Sequence, residues 1–174
     1  MNESEVFEHY EKLYFYELAR KDQIFSRLNI PLVVIVAMAG FYAVILGSDR
    51  QSLLLGGAIW FWIMLSMSGV LMLAGLFFFV DALLGRMDKV LATPNDLEAW
   101  RMELKQHYLG ENDPENKVAA EFRRAIFHDY MSCATVISTN NDRKVSSLFY
   151  CSVFTVLAVI FAVMAFAIVK FPTL

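Results

Sequence analysis

Residues 53–80 read LLLGGAIWFWIMLSMSGVLMLAGLFFFV, with no charged side chain until Asp81. A bilayer core about 30 Å thick takes roughly 20 helical residues to cross, and this run exceeds that. Two further apolar runs flank it: Ile30 to Gly47, at the short end of spanning length, and Leu148 to Val169. The whole chain of 174 residues is 57% hydrophobic and only 19% charged, too apolar for an ordinary soluble domain of this size. The first apolar run begins some thirty residues in, after a charged segment, and no small-residue cleavage site ends it. That pattern does not fit a cleavable signal peptide.

The expected architecture is therefore all-α: an integral membrane protein with three transmembrane helices, the first two forming a hairpin, and a cytoplasmic helical layer. Its parts are a cytoplasmic amphipathic helix over 1–28, the hairpin over 29–84 (spans at about 30–47 and 53–80), a cytoplasmic helical region over 85–146 and a third span over 147–170. Orientation follows from Lys and Arg. Thirteen of the fifteen basic residues lie before the first span or between the second and third, leaving Arg50 and Lys170 on the other side. The positive-inside rule puts the N-terminus and the long loop in the cytoplasm, which for a bacterial chain means the inner membrane. A net charge of −3 argues against a general polyanion binder.

The local signals are specific. Asn2 followed by Glu5 resembles a helix start. Phe7, Tyr10, Leu13, Tyr14, Leu18 and Phe25 then recur at helical spacing. Pro31 marks a kink at the start of the first span, and Gly47-Ser48-Asp49-Arg50 reads as the hairpin turn. Thr93-Pro94-Asn95-Asp96 is a capped helix start, with Gly110 as its stop. Asp113-Pro114 opens the next helix, which the polar cluster from Ser138 to Asp142 is expected to end. In the third span Ser147, Cys151, Thr155, Ala158, Ala162 and Ala165 form one small-residue stripe, and Gly69 offers a close-approach point in the second. Small residues let helices pack closely in lipid, within one chain or between copies. Asp81 is an acid at the edge of the apolar run, near Arg86.

Chemistry-bearing patterns are few. Cys133 and Cys151 lack metal-site spacing and read as small packing residues. Glu5/His9 and Glu103/His107 are spaced one residue wider than the Glu-x-x-His of a bundle metal site. No Gly-rich phosphate loop or nucleophile elbow is present, and no cofactor or metal is expected. Arg123 and His128 make an Arg-x4-His pair that resembles the signature of HEPN-type ribonucleases. That resemblance implies an Arg holding a scissile phosphate and a His moving the proton across a dimer cleft, with RNA as substrate.

The block from Tyr10 to Leu18, then Arg20-Lys21-Asp22, then Ser26 to Leu32 leading into the hairpin is similar to a group of small bacterial membrane proteins. Asn140-Asn141-Asp142-Arg143-Lys144 belongs to the same likeness. The order of helix, hairpin and cytoplasmic helices resembles the SMODS-and-SLOG-associating two-transmembrane effectors, from which this chain departs by a third span. The resemblance implies a non-enzymatic homo-oligomeric membrane effector or pore-like protein acting in bacterial antiviral defence. Its partners are then the lipid bilayer and further copies of itself. The alternatives are a membrane-tethered HEPN-like ribonuclease using Arg123 and His128, and an accessory membrane subunit that docks a cytosolic partner.

The orientation is testable. A reporter that is active only outside the cytoplasm should be active when fused after Leu174 and silent when fused after Gly110; the reverse pattern would invert the topology.

Overall fold

In the computed structural model, which describes residues 3–48, 55–84 and 87–171, the chain is helical with no strand among the described residues. The helices are α1 (Glu3–Arg27), α2 (Asn29–Gly47), α3 (Leu55–Leu83), α4 (Pro94–His107) and α5 (Pro114–Lys170). Three stretches are long and apolar enough to cross a membrane: Glu5–Gly47, Gly56–Leu83 and Pro114–Lys170. The Asn2 start signal, Asp49-Arg50 of the expected turn and Arg86 lie outside the described residues. α2 ends at Gly47 with Ser48 as its cap.

Local rules account for most boundaries. Thr93 caps α4: its hydroxyl oxygen accepts from the Asp96 backbone N–H at 3.3 Å, and Pro94 opens the helix, where its missing N–H would be unpaired in any case. α4 closes at Tyr108, two residues before Gly110. Asp113 sits at φ 60°, a left-handed conformation that Asp tolerates better than most residues. Its carboxylate accepts from Asn116 Nδ2 at 2.6 Å across the first turn of α5. Leu28 alone separates α1 from α2, and its own backbone is helical at φ −63°, ψ −22°. Pro31 falls in the first turn of α2, where its lack of an N–H costs no intrahelical bond.

One sequence expectation is overturned. The polar cluster from Ser138 to Asp142 does not end a helix; α5 runs through it unbroken to Lys170. Asn is a poor helix former because its side chain competes for the backbone. Here both Asn140 and Asn141 give their amides to distant partners instead, and tertiary hydrogen bonds override the propensity.

The described residues divide into two compact units. One takes residues 3–22 and 87–141, the other 23–48, 55–84 and 142–171. The first is polar outside and aromatic inside. Its core is Tyr14, Cys133, Ala134 and Ile137, with Leu18, Leu91 and Tyr130 packed against it. Edge-to-face rings join α1 to α5: Phe7 to Tyr130 at 5.8 Å and Tyr10 to Phe127 at 5.2 Å, an arrangement the ring quadrupoles favour. α4 docks through Trp100, stacked on Phe122 at 5.5 Å.

The second unit packs α2, α3 and the last part of α5 around Met38, Ile45, Phe61, Ala158 and Ala162. A second cluster lies at Leu28, Phe79, Ala82 and Cys151. Large apolar side chains cover its outside, among them Trp60, Val70, Leu73, Phe77 and Val156. At its centre the Ser68 hydroxyl donates to the Ala158 carbonyl at 2.7 Å and lies 2.6 Å from the Tyr42 hydroxyl. A serine has one proton to give. Since it goes to Ala158, Tyr42 must be the donor to Ser68, and one oxygen links three helices.

At Gly75, α3 approaches α5 closely. A Cβ there would meet Thr155 Oγ1 at 3.0 Å and the Cys151 carbonyl at 3.6 Å. At Gly69 a Cβ would meet nothing within 4 Å. Gly75→Leu should therefore lower stability by about 2 kcal/mol through overpacking, read by thermal unfolding in detergent. Gly69→Leu should leave unfolding of the fold within about 0.5 kcal/mol of the parent.

Candidate functional site

The small-residue stripe of α5 is spent inside the chain. Ser147, Cys151, Thr155, Ala158, Ala162 and Ala165 are all buried, four of them completely. Their hydroxyls are committed as well. Ser147 Oγ donates to Asp81 Oδ2 at 2.6 Å, tying α3 to α5, and Thr155 Oγ1 donates to the Cys151 carbonyl at 2.7 Å. Asp81 is thus held by a hydroxyl of α5. Of the expected packing residues only Gly69 keeps an open face, while Gly75 takes the close approach to the stripe.

The strongest polar constellation lies in the first unit. Glu17 is only 5% exposed although it is an acid. Asn141 Nδ2 donates to its Oε2 at 2.9 Å and to its backbone carbonyl at 2.9 Å. Arg20, one turn on, pairs with the same carboxylate at 3.4 Å. Beside it Lys21 Nζ meets Asp88 Oδ2 at 2.7 Å, and Asn140 Nδ2 donates to Asp88 Oδ1 at 2.8 Å. Two neighbouring amides of α5 therefore clamp α1 and the segment that precedes α4. A buried carboxylate needs such partners, because desolvation without them costs several kcal/mol.

Sequence reasoning missed this clasp by treating Asn140 and Asn141 as part of a helix end. One signal was available. Tyr14, Glu17, Lys21, Ile24 and Leu28 fall on one helical stripe that turns inward together with Phe7, Tyr10 and Leu18 of the expected face, while Leu13 and Phe25 of that face are each 37% exposed. Nearby, burial pushes the Cys133 thiol up; Lys89 opposes this and Asp129 adds to it. Burial likewise raises the Tyr130 phenol, aided by Glu11 and Tyr14.

Arg123 and His128 do not come together. Five residues apart, they leave α5 about 140° from each other, and both are exposed. Arg123 lies 5.4 Å above the Phe7 ring. It borders an open groove of about 570 Å³ between the first turns of α1 and α5, lined also by Val6, Ala119, Ala120, Arg124 and Phe127; His128 is not among its lining residues. Arg124 is partly engaged by Glu121 at 3.5 Å. Among the described residues no three His, Cys, Asp or Glu side chains gather as a metal site.

Three helices of spanning length and composition suggest a membrane protein. No protein-family model, curated protein or solved structure matches the chain.

The clasp generates a stability prediction. Asn141→Ala should cost about 2 kcal/mol, since it strips a buried carboxylate of a donor. Gln106→Ala on the exposed face of α4 should cost no more than about 0.5 kcal/mol. The double variant Glu17→Ala/Asn141→Ala should lose less than the two single losses combined, as read by detergent thermal unfolding.

Proposed function

We propose that the chain is a non-enzymatic, self-associating membrane protein of the effector or pore-like type, controlled by its polar unit. In this reading α2, α3 and residues 147–170 of α5 cross the inner membrane. The N-terminus and the unit holding the clasp lie in the cytoplasm, as the distribution of Lys and Arg favours.

The observation that carries the reading is the buried clasp of Glu17 with Asn141, and of Lys21 and Asn140 with Asp88. It grips α5, the helix whose later residues pack the apolar unit through Ala158, Ala162 and Ala165. A clasp built from hydrogen bonds and ion pairs is a two-position device: intact, it fixes α5 against α1; broken, it leaves a buried carboxylate that must rehydrate. Displacing α5 there would act on the helix whose small residues meet α2 and α3. That is the kind of local polar change with a wider packing readout by which switches work. The titratable groups of this site are committed to structural partners, which favours a control element over an acid–base centre. Arg123 and His128, pointing to different sides of α5, lend the ribonuclease reading no geometric support within one chain.

The mass of the detergent-solubilised protein, corrected for bound detergent, tests this directly. A discrete assembly larger than a dimer is the expected result. A monomer at all concentrations would overturn self-association. Asn141→Ala is expected to redistribute the assembly, by changing its size or broadening its mass distribution, while Gln106→Ala leaves it as in the parent.

A further inference from the structure

In the polar unit, the open groove of about 570 Å³ between the first turns of α1 and α5 joins an apolar lining to two guanidiniums. Val6 and Phe7 of α1 face it, and so do Ala119, Ala120 and Phe127 of α5. Arg123 and Arg124, consecutive on α5, both line it as well. Arg123 lies over the Phe7 ring, with no carboxylate in ion-pair reach among the described residues. Arg124 is 80% exposed and pairs with Glu121, a third charged neighbour of the groove, at 3.5 Å. Such an exposed pair is weak and easily exchanged for another. The groove therefore offers apolar contact together with a surplus of positive charge.

A surface of the opposite character lies on the same unit. Glu5, Glu8, Lys12, Phe15, Tyr16 and Ala19 are all exposed. By helical spacing they share the side of α1 opposite the buried Tyr14 and Glu17. The pair of Glu8 with Lys12 is exposed on both sides and again weak. Phe15 is 55% and Tyr16 63% exposed, two adjacent rings on a face that otherwise carries charge. Rings can anchor a helix on a bilayer, but such helices carry Lys and Arg on their polar face, and an anionic leaflet repels carboxylates. Two carboxylates followed by two rings match instead the charge and the apolar lining of the groove.

We propose that the outer stripe of α1 in one copy docks into the α1–α5 groove of a second copy of this chain, Glu5 and Glu8 of the one meeting Arg123 and Arg124 of the other. The inference rests on the self-associating reading above and names the surface through which it works. Copies side by side in one membrane are related by rotation about its normal, so each residue keeps one depth in every copy. Val6 and Phe7 line the groove, and Glu5 and Glu8 adjoin them in sequence. The acids of one copy thus stand level with the groove of the next. Phe15 and Tyr16, two turns further along α1 from Glu8, extend the contact over the neighbouring polar unit. Stripe and groove are different parts of the chain, so the contact is heterologous and repeats around a ring when it closes, in keeping with an assembly larger than a dimer.

Charge reversal tests it, read as the mass of the full-length protein in detergent by light scattering, corrected for bound detergent. Arg123→Glu/Arg124→Glu and, separately, Glu5→Lys/Glu8→Lys should each lower the mass to about half of the parent's or less, because like charges then face each other across the contact. Co-expressed, the two variants should recover the parent's mass, since an acidic stripe then meets a basic groove and a basic stripe an acidic groove. A misfolded chain is not repaired by mixing, so recovery is specific to a contact between copies. Glu98→Lys/Glu103→Lys on α4, a change of equal charge, should neither lower the mass nor rescue the groove variant. A parent that assembles while both variants keep its mass overturns this surface and leaves self-association standing. Lowered masses that co-expression does not restore overturn it too, and leave the groove to an acidic segment of another protein. A monomeric parent overturns the self-associating reading itself, so the two failures register separately.

Discussion

The apolar unit depends on one oxygen. Ser68 Oγ gives its proton to the Ala158 carbonyl and receives one from Tyr42, so α2, α3 and α5 meet at a point that fixes both depth and rotation. In water, burial of the surrounding Met38, Phe61 and Met72 would itself hold the helices together. In a bilayer the surroundings are as apolar as the side chains, and association rests on close packing and interhelical hydrogen bonds. A serine at this position then counts for more than its size suggests. An unpaired hydroxyl in hydrocarbon is costly, and here each alternative rotation of α3 would leave two hydroxyls without partners.

Close packing follows from that register. With Ser68 held against Ala158, Gly75 two turns along α3 lies against Thr155, at a distance that admits no larger residue without a shift. Ala162 and Ala165 continue the contact in the other direction. At the far end of α3, Ser147 gives its proton to Asp81. The stripe of small residues is therefore not uniform. Its serine and threonine ends carry hydrogen bonds and its alanine half carries dispersion. The polar unit follows other rules. Its rings pack around Tyr130, Phe7 edge to face and Tyr14 tilted, and its buried acid is balanced by an amide and a guanidinium.

Much of this was legible in the sequence, and the exceptions share a cause. Periodicity and length marked the helices because each depends on residues close in the chain: Thr93 with Asp96, or the charge-free run that ends at Asp81. The buried stripe of α5 was visible because side chains three and four apart share a face. What was not legible depended on partners far away. Asn140 and Asn141 read as a helix end by propensity, and only Asp88 and Glu17, more than fifty and a hundred residues distant in sequence, make them helical. That Gly75 rather than Gly69 takes the close approach depends on Thr155, eighty residues away in sequence. Arg123 and His128 suggested a pair by spacing alone, and within one chain helical geometry sends them to different sides of α5.

Five hydroxyls of the apolar unit are spent inside it, which bears on how copies could meet. Tyr42, Ser68, Ser147, Ser152 and Thr155 all have partners within the chain, and the alanines of α5 are covered. Contact between copies would then draw on the outward faces, where Gly40, Gly56 and Gly69 have open space where a Cβ would stand. Each is a shallow notch among large side chains such as Trp60, Val70 and Leu73. A notch lets a neighbouring helix approach its backbone closely, and dispersion falls away steeply with separation. Self-association built this way would be driven by fit and carry little directional bonding. Such an interface can be repacked when α5 shifts, because no buried hydrogen bond has to break between copies. In the proposed assembly the strong bonds would lie within each chain and the adaptable contacts between copies, a division suited to an arrangement that answers to the clasp.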